Sequence, residues 1–147
     1  MVMSVDRLEV LVKVAASRAD RAAEEVGRRK AGLNEQEHRL QELRRYMDDY
    51  RSRPLPLSSM LIANRERFMA RLGEAEAQQR RTVEQATHAV HESTRSWLEQ
   101  RAGQQKFGVL QTAAIDRQNR TAEQHQQRGL DEFALRVFAG RPGANTD

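Results

Sequence analysis

The stretch Arg53-Pro54-Leu55-Pro56-Leu57-Ser58-Ser59 constrains what this chain can fold into more than any other. Two of its three prolines fall here, two residues apart, in a sequence otherwise composed for helix. Pro56 lacks the amide proton that an interior helical turn needs, and each proline ring pushes the residue before it toward an extended conformation. A helix arriving from the N-terminal side must stop near Arg53. Ser58 or Ser59 can accept a hydrogen bond from the first free amides of a new helix. The connection is as short as antiparallel helix pairs use, so the spacing predicts a hairpin.

Hydrophobic periodicity supports this on both sides of the hinge. From Leu8 to Tyr50, alternating steps of four and three residues land on Leu8, Val12, Ala15, Ala19, Ala22, Val26, Arg29, Leu33, Gln36, Leu40, Leu43, Met47 and Tyr50. A sustained 3.5-residue period is the pattern of a left-handed coiled coil. Ser4 is the expected N-cap, with Asp6 well placed against the helix dipole. After the hinge, Leu61, Phe68, Leu72, Ala75, Val83, Ala86, Val90 and Trp97 continue a stripe that Arg65, Gln79 and Ser93 interrupt.

Folding back symmetrically about Pro56 sets Leu43 near Phe68, Leu40 near Leu72, Val26 near Ala86, Ala22 near Val90 and Ala15 near Trp97. Arg29 and Gln36 fall on the seam as polar positions, which commonly fix register at some cost in stability. Gly73 weakens the second helix by about 1 kcal/mol relative to alanine.

The expected fold is therefore all-α: an antiparallel two-helix coiled-coil hairpin whose second helix is longer than the first. Its parts are a helix over about 5–53, a hinge at 54–58, a helix over about 59–139 and a tail at 140–147, in one domain. Gly140 and Pro142 form the stop. On this count the first helix runs out near Gln104, leaving Gln105 to Ala139 without a partner. Phe107, Leu110 and Ala114 share one face of that overhang, and Leu130, Phe133, Ala134 and Val137 share another. Apolar clusters on an unpaired helix mark a docking surface.

Composition narrows the function. With 38% apolar, 31% charged and 5% aromatic residues and a mean hydropathy of −0.83, the chain suits long helices burying a narrow stripe. Cysteine is absent, which removes disulfides and thiolate metal sites. No apolar run approaches the roughly 20 residues that span a bilayer, and Asp6, Arg7, Glu9 and Lys13 break up any secretory signal. A cytosolic protein with no direct membrane insertion is expected.

The net charge of +4 and pI of about 10.1 raise a nucleic-acid reading, but the basic residues do not cluster. Up to Arg53 there are 12 basic and 10 acidic residues; from Pro54 to Gly103, 7 and 6; from Gln104 onward, 6 and 5. A phosphate-tracking surface needs clustered Lys and Arg. Catalytic chemistry is likewise missing. His88 and His91 share a helix face but match neither zinc-protease spacing, and read as solvated histidines, as do His38 and His125. Thr94 and Ser96 have no positioned base, no glycine-rich loop follows a strand, and a two-helix rod offers no water-excluding pocket. No enzyme, cofactor or metal is expected.

The order of features resembles the FliJ family, the stalk proteins of the bacterial flagellar type III export apparatus. The residues that carry the resemblance are Arg7-Leu8-Glu9-Val10-Leu11-Val12-Lys13, Tyr46-Met47-Asp48-Asp49-Tyr50-Arg51 before the hinge, Trp97, and Asp131-Glu132-Phe133-Ala134-Leu135-Arg136 near the end. It covers roughly residues 5 to 140.

The resemblance implies a rod whose chain ends enter the pore of a hexameric export ATPase, FliI, and which also contacts the export gate FlhA and in some members export chaperones. Such a protein sits at the cytoplasmic face of the inner membrane and serves motility. The family's gate-contacting stripe would fall on Phe68, Leu72, Ala75 and Gln79, the last departing from an expected histidine. The heptad count already uses Phe68, Leu72 and Ala75 as seam, so seam and partner surface compete for them. The ring-binding candidates are Phe107, Leu110, Leu130, Phe133 and Val137.

Three alternatives stand beside the flagellar stalk. One is the equivalent stalk of a virulence-type secretion injectisome. Another is a basic helical hairpin gripping nucleic acid, which would need a charged stripe. The third is a plain scaffolding coiled coil that self-associates without touching an ATPase.

Overall fold

The computed structural model describes residues 4–140. It contains two helices, α1 over Val5–Arg51 and α2 over Ser59–Gly140, packed as an antiparallel hairpin with α2 the longer. Pro142 and the rest of the expected tail beyond Gly140 lie outside the described residues. Tertiary contacts divide the chain into two compact units. One comprises Ser17–Ala102; the other joins, among the described residues, 4–16 to 103–140.

The start of α1 is capped by a side chain as its sequence asks, whereas at α2 no hydrogen bond to the Ser58 or Ser59 hydroxyl forms. The Arg7 amide donates to Ser4 Oγ at 3.3 Å and the Leu8 amide to the Ser4 carbonyl at 3.1 Å, while Asp6 occupies the positive first turn. At α2 the Ile62 amide donates to the Ser58 carbonyl at 3.0 Å, which makes Ser58 the residue that opens the helix.

In the Ser17–Ala102 unit, the end of α1 is closed by an arginine from α2. The Arg65 guanidinium donates to the carbonyls of Arg51 at 2.8 Å, Tyr50 at 3.3 Å, Arg53 at 2.9 Å and Pro54 at 3.3 Å. The last carbonyls of a helix have no intrahelical donor and carry the negative end of its dipole, so a forked cation is a fitting cap. Ser52 adds its hydroxyl to the Asp49 carbonyl at 2.8 Å. Arg65 thus does more than interrupt an apolar stripe: it ties the two helices and the turn together.

This cap also sets the register. Phe68 packs against Tyr50, with ring centroids 4.8 Å apart, and edge-on against Tyr46 at 6.4 Å. Further on, Arg44 reaches Glu76 and Gln36 reaches Gln79. The pairing symmetrical about Pro56 put Phe68 opposite Leu43, roughly one helical turn away from the tyrosines that meet it. The reason lies in the turn. With Arg65 level with the last turn of α1, the opening turn of α2 runs past that end, so the hairpin is not symmetrical about Pro56.

The stripe itself follows the sequence pattern closely along α1. In this unit Ala19, Leu40 and Met47 are buried, and Ala22, Val26, Leu33, Leu43 and Tyr50 are half-buried. Arg29 departs from it. Its side chain is exposed and donates to Glu25 Oε1 at 2.7 Å, because a guanidinium on a seam without an acceptor turns outward to find one.

On α2, Phe68, Leu72, Val83, Ala86, Val90 and Trp97 are half-buried, but Leu61 and Ala75 are exposed. Glu76 takes the inward place instead, its side chain only 17% exposed, accepting hydrogen bonds from Arg44 at 3.1 Å and Arg80 at 3.0 Å. Two arginine partners offset the cost of setting a carboxylate against the seam. Leu61 belongs to the opening turn that α1 does not cover.

Replacing Arg65 by methionine keeps the aliphatic stem and removes the cap. Urea denaturation should show a loss of about 1–2 kcal/mol, as for hydrogen bonds from a charged donor, with helical content nearly unchanged.

Candidate docking surfaces

In the second unit, the segment Val5–Ala16 packs with the C-terminal part of α2, and Leu8 (3% exposed), Ala15 and Ala114 are the buried residues. Gln104, Phe107, Gly108 and Gln111 are half-buried along the same face of α2. From Ile115 to Gly140 every residue is exposed. The uncovered stretch therefore begins at Ile115, later than the Gln105 that symmetrical pairing gave. Phe107 and Ala114 belong to the paired part, and Leu110 lies at its exposed edge.

The uncovered stretch has two chemically different parts. From Asp116 to Arg128 it is polar, with Thr121 Oγ1 donating back to the Arg117 carbonyl at 2.9 Å. From Leu130 it turns apolar. Leu130, Phe133 and Val137 share one face, as helical spacing requires, and Phe133 is 67% exposed. Leu135 and Phe138 are exposed as well and lie off that face, so the helix end is apolar around much of its circumference. Val10 and Val14, one turn apart on α1, and Val109 on α2 add exposed apolar side chains to this unit.

Leu135, Phe138, Val10, Val14 and Val109 are not among the docking residues expected from the sequence. For Leu135 and Phe138 the signal was available: an apolar residue off the stripe of an unpaired helix has nothing else to cover it.

The second set of candidates sits in the Ser17–Ala102 unit. Phe68 joins Tyr46 and Tyr50 in an aromatic cluster, whose two tyrosines stack at 6.4 Å. The Arg53 and Arg65 guanidinium groups lie 5.3 and 5.7 Å from the Tyr50 ring centre. Leu72 is half-buried. Gln79 uses its amide across the seam, donating to the Gln36 carbonyl at 3.0 Å and to Gln36 Oε1 at 2.9 Å. Ala75 alone of the four stands exposed. Among the described residues no cluster of three metal-ligating side chains occurs, and no helix is long and apolar enough to cross a membrane.

The Flagellar FliJ protein family model matches residues 3–143 of the chain. The chain belongs to the FliJ family. Among its curated relatives, the flagellar FliJ protein of Salmonella typhi is 30% identical over 144 residues, covering 92% of this chain and 95% of that protein. The flagellar FliJ protein of Escherichia coli K12 is 29% identical over the same length and coverage. No solved structure matches.

The residues on which the FliJ resemblance rested take distinct positions. Tyr46 and Tyr50 build the aromatic cluster beside the hinge. Trp97 is half-buried, with the Arg101 guanidinium 5.4 Å from its ring centre. Phe133 and Leu135 stand uncovered on α2.

Seam and surface can be told apart by stability. Phe68→Ala removes a half-buried ring from the aromatic cluster and should cost about 2 kcal/mol, at the low end for aromatic truncations because the site is not fully enclosed. Ala75→Asp alters an exposed position and should stay within about 0.5 kcal/mol of the parent. Paired thermal melts check both.

Proposed function

We propose that this FliJ-family protein is a non-enzymatic stalk of the flagellar type III protein export apparatus. In this reading the apolar end of α2, with Leu130, Phe133 and Val137 at its centre, docks in the pore of the hexameric export ATPase FliI and stimulates it. The segment carrying Phe68, Leu72, Ala75 and Gln79 meets the export gate FlhA. Ala75 is the side chain of that set open to a partner without any rearrangement.

The observation that carries the reading is the run of wholly exposed residues from Ile115 to Gly140 ending in large apolar side chains. A helix segment with no partner gains little from packing, so an apolar end on it is best accounted for by something that covers it. A pore ringed by several subunits would cover such an end on all sides, which suits the off-face positions of Leu135 and Phe138. Both curated relatives are flagellar proteins, which favours the flagellar stalk over its injectisome counterpart.

Part of the positive charge that a nucleic-acid reading needs is taken up by internal pairing. Arg28 and Arg29 grip Glu25, holding its carboxyl below the ordinary carboxylate range. Arg39 pairs with Glu35, and Arg44 and Arg80 with Glu76. Each of these cations is already set against an acid and not aligned for phosphates.

Removing the chain after Gln127 takes away the apolar end and leaves the hairpin. Stimulation of the hexameric ATPase should fall to its unstimulated rate while the circular-dichroism melt of the remaining coiled coil barely moves. Full stimulation by the truncated chain would overturn the stalk reading.

A further inference from the structure

The hinge carries a second uncovered apolar group, separate from the end of α2. Leu55, Leu57, Met60 and Leu61 are all exposed, Leu57 at 106% of its reference surface. They sit on the convex tip of the turn and on the opening turn of α2, which runs past the end of α1. Leu61 borders an open recess with Tyr50, Pro54, Pro56, Asn64 and Phe68, whereas Leu55, Leu57 and Met60 project outward and enclose nothing. Such a tip needs a receiving medium.

The charges around it say which. Between Tyr50 and Arg65 the chain holds three arginines, Arg51, Arg53 and Arg65, and no acid. Arg65 is occupied with the carbonyls of the turn. Arg53 is held over the Tyr50 ring and stays exposed. Arg51, also exposed, is only loosely matched by Asp48 at 3.7 Å. Protruding leucine and methionine side chains with a cationic collar beneath them match an anionic lipid surface, where apolar groups enter the acyl boundary and arginines meet phosphates.

We propose that the hinge loop is a membrane-contact element: Leu55, Leu57, Met60 and Leu61 dip into the interface of an anionic phospholipid bilayer while Arg51 and Arg53 bind its headgroups. No helix enters the bilayer. The contact is independent of what the far end of α2 binds, and serves to orient the hinge against a membrane.

The chain has no cysteine, so Leu57→Cys gives a single attachment point for an environment-sensitive fluorophore on the full-length protein. Vesicles containing phosphatidylglycerol should shift its emission to the blue, and pure phosphatidylcholine vesicles should not. In co-sedimentation, unlabelled protein should bind the anionic vesicles and release as salt rises. Arg51→Gln with Arg53→Gln should weaken binding about 25-fold, fivefold per arginine. Leu57→Ser with Met60→Ser should abolish it with helicity unchanged, whereas Phe133→Ser should leave it intact.

Three results would overturn the proposal. One is a blue shift that grows with protein concentration in the absence of lipid, which makes the tip a contact between copies. Another is vesicle binding lost in Phe133→Ser but kept in the hinge variants, which moves the contact to the end of α2. The third is no binding to phosphatidylglycerol vesicles at low salt, which leaves the tip to an acidic protein partner.

Discussion

The contact on which the hairpin depends most is one guanidinium group set against the open end of a helix. A helix that stops at a proline-rich turn leaves carbonyls without donors, and water can satisfy them in many turn geometries. Arg65 satisfies them from the opposite helix, which selects one geometry. Its five donors in a rigid plane suit several oxygens at once, where a lysine would offer a single charge on a mobile stem. Tyr50 and Phe68 then close over the same point with aromatic packing, so the turn is fixed from both the polar and the apolar side.

Farther along the Ser17–Ala102 unit, polar residues on the seam continue this specification. The Gln36–Gln79 pair and the Arg44–Glu76 contact each require their partners at one axial position. An alanine- and leucine-rich seam tolerates sliding, since one small apolar residue packs much like the next. A half-buried amide or carboxylate left without its partner costs far more than a misplaced alanine. The polar positions therefore decide the alignment and the apolar positions provide the adhesion.

The helices, the hinge, the first cap and the seam of α1 were all legible in the sequence because each rests on local rules. Pro56 forbids helix, Ser4 caps it, and the spacing from Leu8 to Tyr50 defines a face. The alignment of the helices was not legible. It depends on how far the turn extends before pairing begins, and this is set by Arg65 reaching back to residues 50 to 54, a contact with no local signature. That misalignment accounts for part of the displacement of the uncovered stretch from Gln105 to Ile115. Ala75 is apolar at the spacing of a seam residue, yet Glu76 takes the inward place because Arg44 and Arg80 are there to receive it. The exposure of Leu55 and Leu57 has no signature in the sequence and follows from the shape of the turn.

Among the described residues, no large side chain is completely enclosed. Within each unit most seam residues keep one flank in water, and only a few, such as Leu8, Leu40 and Met47, are buried. Unfolding such a protein uncovers little new apolar area for its length, so its heat-capacity increment per residue and its denaturant sensitivity fall below those of a globule of equal size. Its free energy then varies gently with temperature, with a broad, shallow maximum. Cohesion is distributed along the seam instead of residing in one centre, and a substitution at one level loosens that level first.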